Sequence, residues 1–271
     1  MNISQTRQAL NELGMRPDKS LGQNFLVNPM AIRRIVNALG EVSGTVLEIG
    51  PGLGALTGGL IRAGHDLSAI ELSETMAEWL VNEYPEVRMV TGDFLSVDPS
   101  DIPGYPFTAV ASNLPYNISS QTVFNLCEPK FDGVEKAVLM FQKEMATRLA
   151  CIDGGRNYGR LSLLVWPWFS VEKLFDLDPG DFLPRPNVDS SVVILRRKKD
   201  KVMSRDEYAV FAKVVRAAFS GRRKKVLNCL TRVFGKTDSL AMLEAANIDP
   251  NLRAERIEPE KFAELAGKAQ V

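Results

Sequence analysis

Thr45-Val46-Leu47-Glu48-Ile49-Gly50-Pro51-Gly52-Leu53-Gly54 decides the fold of this chain. Thr45 to Ile49 is an apolar run of strand length that ends in a glycine turn, and the residues from about Ala55 to Ala63 follow as a helix. Strand, glycine turn and helix in that order form a nucleotide-binding unit. The glycines let the backbone approach a ligand that a β-carbon would push away, and the helix N-terminus behind them favours a negative group such as a carboxylate. The spacing departs from the dinucleotide pattern G-x-G-x-x-G, because Gly54 comes one residue early and Ala55 follows it. That departure moves the expectation from a pyrophosphate to a ligand with an amino-acid tail.

Downstream, the same strand-then-ligand logic repeats. Asp66 to Ile70 reads as a second strand ending at Glu71, about twenty residues after the glycines, where a carboxylate can accept both hydroxyls of a ribose. A helix over Ser73 to Glu83 and a strand over Val87 to Thr91 lead to Gly92-Asp93-Phe94. Asp93 can accept the amino group of an adenine while Phe94 lines its ring; equally, Asp93 can cap the next turn. The alternating run Phe107 to Ser112 then delivers Asn113-Leu114-Pro115-Tyr116 just past a strand end, where open α/β sheets keep their ligands. The Asn113 side-chain oxygen and the Leu114 carbonyl can both accept from one exocyclic amine of a nucleobase, Pro115 stiffens the turn, and Tyr116 offers a stacking face. The alternative is a plain turn, with Asn113 capping the next helix and Tyr116 covering the core.

A helix from near Ser119, a strand over Ala137 to Phe141 and a helix carrying Lys143, Glu144 and Arg148 come next. Leu161 to Phe169 and Ser190 to Leu195 read as two further strands, which brings the total to seven. Between them Phe182-Leu183-Pro184-Arg185-Pro186-Asn187-Val188-Asp189-Ser190 carries two prolines that fix its path, leaving Phe182 either as a second stacking surface opposite Tyr116 or as core. Before the glycine unit, Thr6 to Leu13 reads as a helix. Leu21-Gly22-Gln23-Asn24-Phe25-Leu26 reads as a loop with two amides and an exposed Phe, and a helix capped near Asn28 follows with Pro29 in its first turn.

Composition bounds the class. No apolar run is long enough to cross a bilayer, and the polar start Met1 to Gln8 lacks the hydrophobic segment of a secretory signal, so the expected place is the cytoplasm. Cys127, Cys151 and Cys229 are scattered without zinc spacing, and the single histidine, His65, leaves little for imidazole catalysis or a His-ligated metal. Formal net charge is +0. It is unevenly spread, since the window Tyr208 to Lys236 holds Lys213, Arg216, Arg222, Arg223, Lys224, Lys225, Arg232 and Lys236 with no acid. Such a run is either a solvated face or a nucleic-acid surface. The charged stretch Arg196 to Lys201 marks a domain boundary, with residues 1–199 as the larger α/β domain and 200–271 as a small helical one.

Taken together, Gly22 to Leu26, Glu48 to Gly54, Gly92-Asp93, Asn113 to Tyr116, Gln142-Lys143-Glu144, Tyr158-Gly159-Arg160-Leu161-Ser162, Phe182 to Ser190 and Phe219 to Lys225 resemble the ribosomal RNA adenine dimethyltransferase family, most closely its small-subunit branch. The resemblance covers nearly the whole chain. It implies a seven-stranded, Rossmann-like methyltransferase domain with a C-terminal helical RNA-binding domain, S-adenosylmethionine as methyl donor, no metal, and two adjacent adenosines near the 3′ end of the small-subunit RNA as acceptors. It implies further that Gln23 and Asn24, with the backbone of Gly50 and Gly52, meet the methionine part of the donor. Glu71 then meets its ribose and Asp93 its adenine, and Leu26, Leu72, Phe94 and Asn113 also belong to the donor site. Asn113 and Leu114 would hold the target amine between Tyr116 and Phe182, and Arg222, Arg223, Lys224 and Lys225 would contact RNA. Asn187 stands where relatives commonly have Lys. The small ribosomal subunit is the expected partner, the chain is expected to be a monomer, and a membrane is not expected. A DNA adenine methyltransferase, the large-subunit branch and a non-catalytic assembly factor that kept the fold are the competing readings.

Overall fold

The strand Thr45–Ile49 is buried at all five positions because it runs through the middle of the sheet, flanked by parallel neighbours on both sides. In the computed structural model, which describes residues 1–17 and 23–269, the chain runs α1 (Ile3–Glu12), β1 (Phe25–Leu26), α2 (Pro29–Leu39), β2 (Thr45–Ile49), α3 (Thr57–Arg62), β3 (Leu67–Glu71), α4 (Glu74–Glu83), β4 (Arg88–Thr91), β5 (Phe107–Asn113), α5 (Ser119–Leu126), β6 (Lys136–Gln142) and α6 (Lys143–Ala150). It continues with α7 (Arg160–Val165), β7 (Phe169–Leu177), β8 (Phe182–Leu183), β9 (Ser190–Arg197), α8 (Arg205–Ala218), α9 (Val226–Phe234), α10 (Lys236–Ala245) and α11 (Pro259–Gly267). Leu21 and Gly22, two residues of the expected ligand-facing loop, lie outside the described residues.

Seven strands form one sheet in the order β4-β3-β2-β5-β6-β9-β7, with β9 antiparallel to β6. Strand order reverses between β2 and β5, so the loops after these two strands diverge and leave a crevice at their carboxyl ends. The glycine turn follows β2 and Asn113 ends β5, so both motifs border that crevice. A separate two-stranded ribbon pairs β1 with β8, Phe25 opposite Leu183 and Leu26 opposite Phe182.

Local chemistry sets the helix starts. Asn28 accepts from the amides of Met30 and Ala31 with Pro29 at the first position of α2, and the apolar face Ile32, Ile35, Val36 and Leu39 packs into the main core. Ser73 caps α4 through the Met76 amide. α3 begins at Thr57, two residues later than the sequence suggests, because Gly52 to Leu56 are taken up in the turn.

Contacts divide the chain into one unit of Met1–Ala146 with Val171–Arg197, and another of Thr147–Ser170 with Lys198–Val271. The linker boundary falls at Arg197, close to the expected break, but the helical unit also takes Thr147–Ser170 out of the expected first domain. The cause is a misread element. Leu161 to Phe169, expected as a strand, is α7 followed by a turn, and its apolar side chains pack within the helical unit, where the Tyr208 hydroxyl donates to the Leu164 carbonyl at 3.0 Å and Trp166 lies 6.3 Å from Phe211. A short apolar run does not distinguish a strand from a buried helix. The seventh strand is β7 instead, an edge strand whose mostly exposed or half-buried side chains gave no apolar signal.

Candidate active site

The crevice between the β2 and β5 loops deepens into a cavity of about 520 Å³, within the roughly 300–1,000 Å³ usual for small-molecule and cofactor sites. Gly50 and Gly52 enter its floor at φ 62° and 59°, a region that L side chains rarely adopt. Gly52 has a second reason to be glycine: a β-carbon there would stand 3.2 Å from the ring of Phe25. Phe25, expected as exposed, is 7 % exposed and packs with Leu53 and Met76.

Two acids stand behind the glycine turn in different surroundings. Glu71, at the end of β3, accepts from the Gly52 amide at 3.0 Å and the Ser73 amide at 2.9 Å, one through each carboxylate oxygen. Those bonds tie the two turns together, and each oxygen keeps a lone pair that a ribose hydroxyl could use. Glu48, 1 % exposed, accepts from the Thr57 hydroxyl at 2.7 Å and from the Thr57 backbone. Burial pushes its carboxyl up to about 8, the Thr57 bond pulls it down, and the Glu71 charge raises it again. Sequence reasoning did not assign Glu48 a role. Its place in the cavity wall lets it face a cationic ligand group such as an ammonium, for which it would be a counter-charge once it gives up its proton.

Across the crevice, Asn113 Nδ2 donates to the Asn24 carbonyl at 3.0 Å, which leaves Oδ1 as an acceptor without a protein partner among the described residues. The turn's own hydrogen bonds run to the Pro115 carbonyl, from the Ile118 amide at 3.3 Å and the Ser119 hydroxyl at 3.1 Å, and among the described residues none runs to the carbonyl of Leu114. Both acceptors expected for an exocyclic amine are therefore kept out of the turn's internal bonding. Tyr116 lies half-buried in the cavity wall, its hydroxyl 2.8 Å from Ser190 Oγ. Asp93 caps its own turn, accepting from the Leu95 amide at 2.9 Å and the Ser96 hydroxyl at 3.2 Å, and it still borders the cavity. Phe94, 5 % exposed, sits beside it with its ring 5.6 Å from Phe131.

Gln23 and Asn24 line the same cavity, Leu26 backs it with no exposed surface, and Leu72 stands at its mouth, 60 % exposed. Phe182 is the exception. It is 2 % exposed, paired with Leu26 in the ribbon and packed in the main core, so the expected second stacking face is not presented and the core alternative holds. In the helical unit, Arg222 to Lys225 form the turn before α9 and are all exposed; like charges at a helix N-terminus oppose its dipole, consistent with the helix starting at Val226 rather than at the expected Arg223. Arg222 donates to the Arg156 carbonyl at 3.0 Å and Lys225 to Asn251 at 2.7 Å.

Against known proteins, the family described as "Ribosomal RNA adenine dimethylase" matches residues 15–270. The chain belongs to that family. Curated relatives named "Ribosomal RNA small subunit methyltransferase A" include one from Myxococcus xanthus, 39 % identical over 264 residues (96 % of this chain, 93 % of the relative), and one from Desulforapulum autotrophicum, 40 % identical over 259 residues (92 % and 90 %). Solved structures with the same fold include a dimethyladenosine transferase from Plasmodium falciparum, with a TM-score of 0.74 and 28 % identity over 89 % of this chain and 95 % of that one. The 23S rRNA methyltransferase ErmE gives a TM-score of 0.70 and 28 % identity over 90 % and 99 %. The protein is thus an S-adenosylmethionine-dependent RNA methyltransferase with the seven-stranded fold of its family.

The cavity fits that donor. The glycine floor leaves the space a β-carbon would fill, Glu71 offers a carboxylate for two hydroxyls, Glu48 a buried acid for an ammonium, and Asp93 with Phe94 an acceptor beside an aromatic edge. Among the described residues no group of three or more His, Cys, Asp or Glu side chains is gathered as metal ligands would be, and no helix is long and apolar enough to cross a membrane.

Proposed function

We propose that this protein dimethylates the exocyclic amines of two adjacent adenosines near the 3′ end of small-subunit ribosomal RNA, as a monomer in the cytoplasm during small-subunit biogenesis. The observation that carries the reading is the Asn113 amide, whose nitrogen is committed to the Asn24 carbonyl so that its oxygen is left to accept. The relatives named for the small subunit, matched over nine-tenths of both chains, support that branch over the large-subunit one.

An adenine amine is a poor nucleophile because its lone pair is delocalised into the ring. Hydrogen bonds from the amine to Asn113 Oδ1 and the Leu114 carbonyl favour localisation of that lone pair on nitrogen. S-adenosylmethionine supplies a methyl group already activated by positive sulfur. The protein's task is then alignment, and orientation of two reactants can supply roughly 7–11 kcal/mol in favourable cases. No strong base is needed, since the amine becomes acidic on attack and loses its proton to water. Tyr116 stacks on the target base, offsetting the few kcal/mol needed to take it out of its helix. Arg222, Arg223, Lys224 and Lys225 dock phosphates.

Labelled methyl transfer onto naked RNA, unmodified small subunits and DNA, with the acceptor position mapped, tests the reading. The expected result is two dimethylated neighbouring adenosines in the small-subunit RNA. Methylation confined to DNA or to large-subunit RNA would overturn it.

A further inference from the structure

Tyr116 leaves β5 three residues after Asn113, and its hydroxyl ends two strands away. Asn113 lies opposite Met140 on β6, and β6 in turn pairs Met140 with Val192 and Gln142 with Ser190 on β9. To bring its oxygen within 2.8 Å of Ser190 Oγ, Tyr116 must reach across the carboxyl end of β6. The ring is therefore held at both ends, by the proline turn at its backbone and by Ser190 at its hydroxyl.

The anchor itself is rigid. Ser190 has no exposed surface and opens β9 in register with Gln142. Its neighbour Ser191 donates to Asp176 Oδ1 at 2.6 Å, Asp176 also pairs with Lys143 and Lys173, and the Asp189 carbonyl accepts from the Lys143 amide at 2.9 Å. Adjacent residues of a strand point to opposite faces, so Ser191 fastens the strand on one side while Ser190 is left to face Tyr116. A lone aromatic ring can rotate away from a base; one tied through its hydroxyl to a fixed strand is pre-organised for stacking.

We propose that Ser190 is a positioning residue for methyl transfer, acting wholly through its hydrogen bond to Tyr116 to hold that ring as the stacking face for the target adenine. This rests on the reading of Tyr116 given above. A net hydrogen bond of ordinary strength corresponds to roughly a 3- to 10-fold change in rate.

The test is a double-mutant cycle on the full-length protein with unmodified small subunits, using Ser190→Ala, Tyr116→Phe and the pair, with kcat, KM for the subunit, donor Kd and thermal midpoint measured for each. Ser190→Ala and Tyr116→Phe should each lower kcat/KM for the subunit by that factor with donor Kd unchanged. The pair should be no worse than either alone, and Ser190→Thr, which keeps the hydroxyl, should recover most of the loss. Losses that multiply in the pair, or a Ser190→Ala protein that melts lower but turns over normally, would overturn the proposal. Tyr116→Ala separates this from the parent reading. If it keeps full turnover, stacking on Tyr116 falls; if it is impaired while the cycle is multiplicative, only the role of Ser190 falls.

Discussion

Glu48→Gln keeps the shape of a side chain that is 1 % exposed and removes its titration. In the native protein burial holds the Glu48 carboxyl up to about 8, whereas its ordinary value is 4.5. Between those two values the folded protein keeps a proton that the unfolded chain has released, so the unfolded state binds fewer protons and stability falls as pH rises. The slope for one such group is on the order of 1 kcal/mol per pH unit, so about 2–3 kcal/mol is lost between roughly pH 5.5 and 7.5. Other groups do not mimic this. The acids held below their usual range, Asp66 by Arg88, Asp176 by Ser191 and Lys173, Asp98 by Ser100, Glu207 by Ser204 and Asp249 by Asn251, have finished titrating below that window. His65 and the amino terminus, both lowered by burial, make stability rise with pH there, and both remain in the variant. Glu71 stays as a neighbour of position 48, and Tyr84, raised by burial, titrates above the window. Urea unfolding of the donor-free protein at constant ionic strength, at several pH values, gives the two curves. The expected outcome is that stability of the wild type minus that of Glu48→Gln declines by about 2–3 kcal/mol across the window. Parallel curves would refute the assignment of a proton to Glu48. Donor binding should also release a proton in this range, read from calorimetry in two buffers of different ionisation enthalpy, and Glu48→Gln should abolish that release.

Asn113→Ala removes the acceptor left by the bond to Asn24, and it should cut kcat by ~100-fold or more while donor Kd changes little; equal losses in both would place Asn113 in donor binding alone. Neutralising Arg222, Arg223, Lys224 and Lys225 together, all exposed, should weaken RNA association and flatten its dependence on salt, with an unchanged salt slope showing that the turn only faces solvent. Phe182→Ala should destabilise by ~3–5 kcal/mol in urea unfolding, as expected for deleting a core phenylalanine that is 2 % exposed; normal stability with a selective loss of RNA turnover would return Phe182 to the stacking role.

Gly50 to Gly54 and Asn113 to Tyr116 form turns after strands, as expected, because the constraints there are local. A backbone at positive φ needs glycine, and a proline turn after a strand aims its neighbours, whatever lies elsewhere in the chain. Helix starts were legible for the same reason at Asn28 and Ser73, where a side chain bonds an amide two or three residues on. Leu161 to Phe169 was misread because an apolar run records only that the segment is buried. Whether it becomes a strand or a helix depended on what packed against it, and in the helical unit that was α8.

By itself, then, the sequence determined the turns that border the cavity, the residue types that line it and the basic stretch of the helical unit. These are short-range consequences of backbone freedom and side-chain chemistry. Only the tertiary structure decided that Glu48 is buried beside Thr57 while Glu71 accepts from two amides, that Phe182 belongs to the core, and that Ser190 meets Tyr116 from 74 residues away. Burial and long-range pairing depend on which segments become neighbours, and no local pattern encodes that.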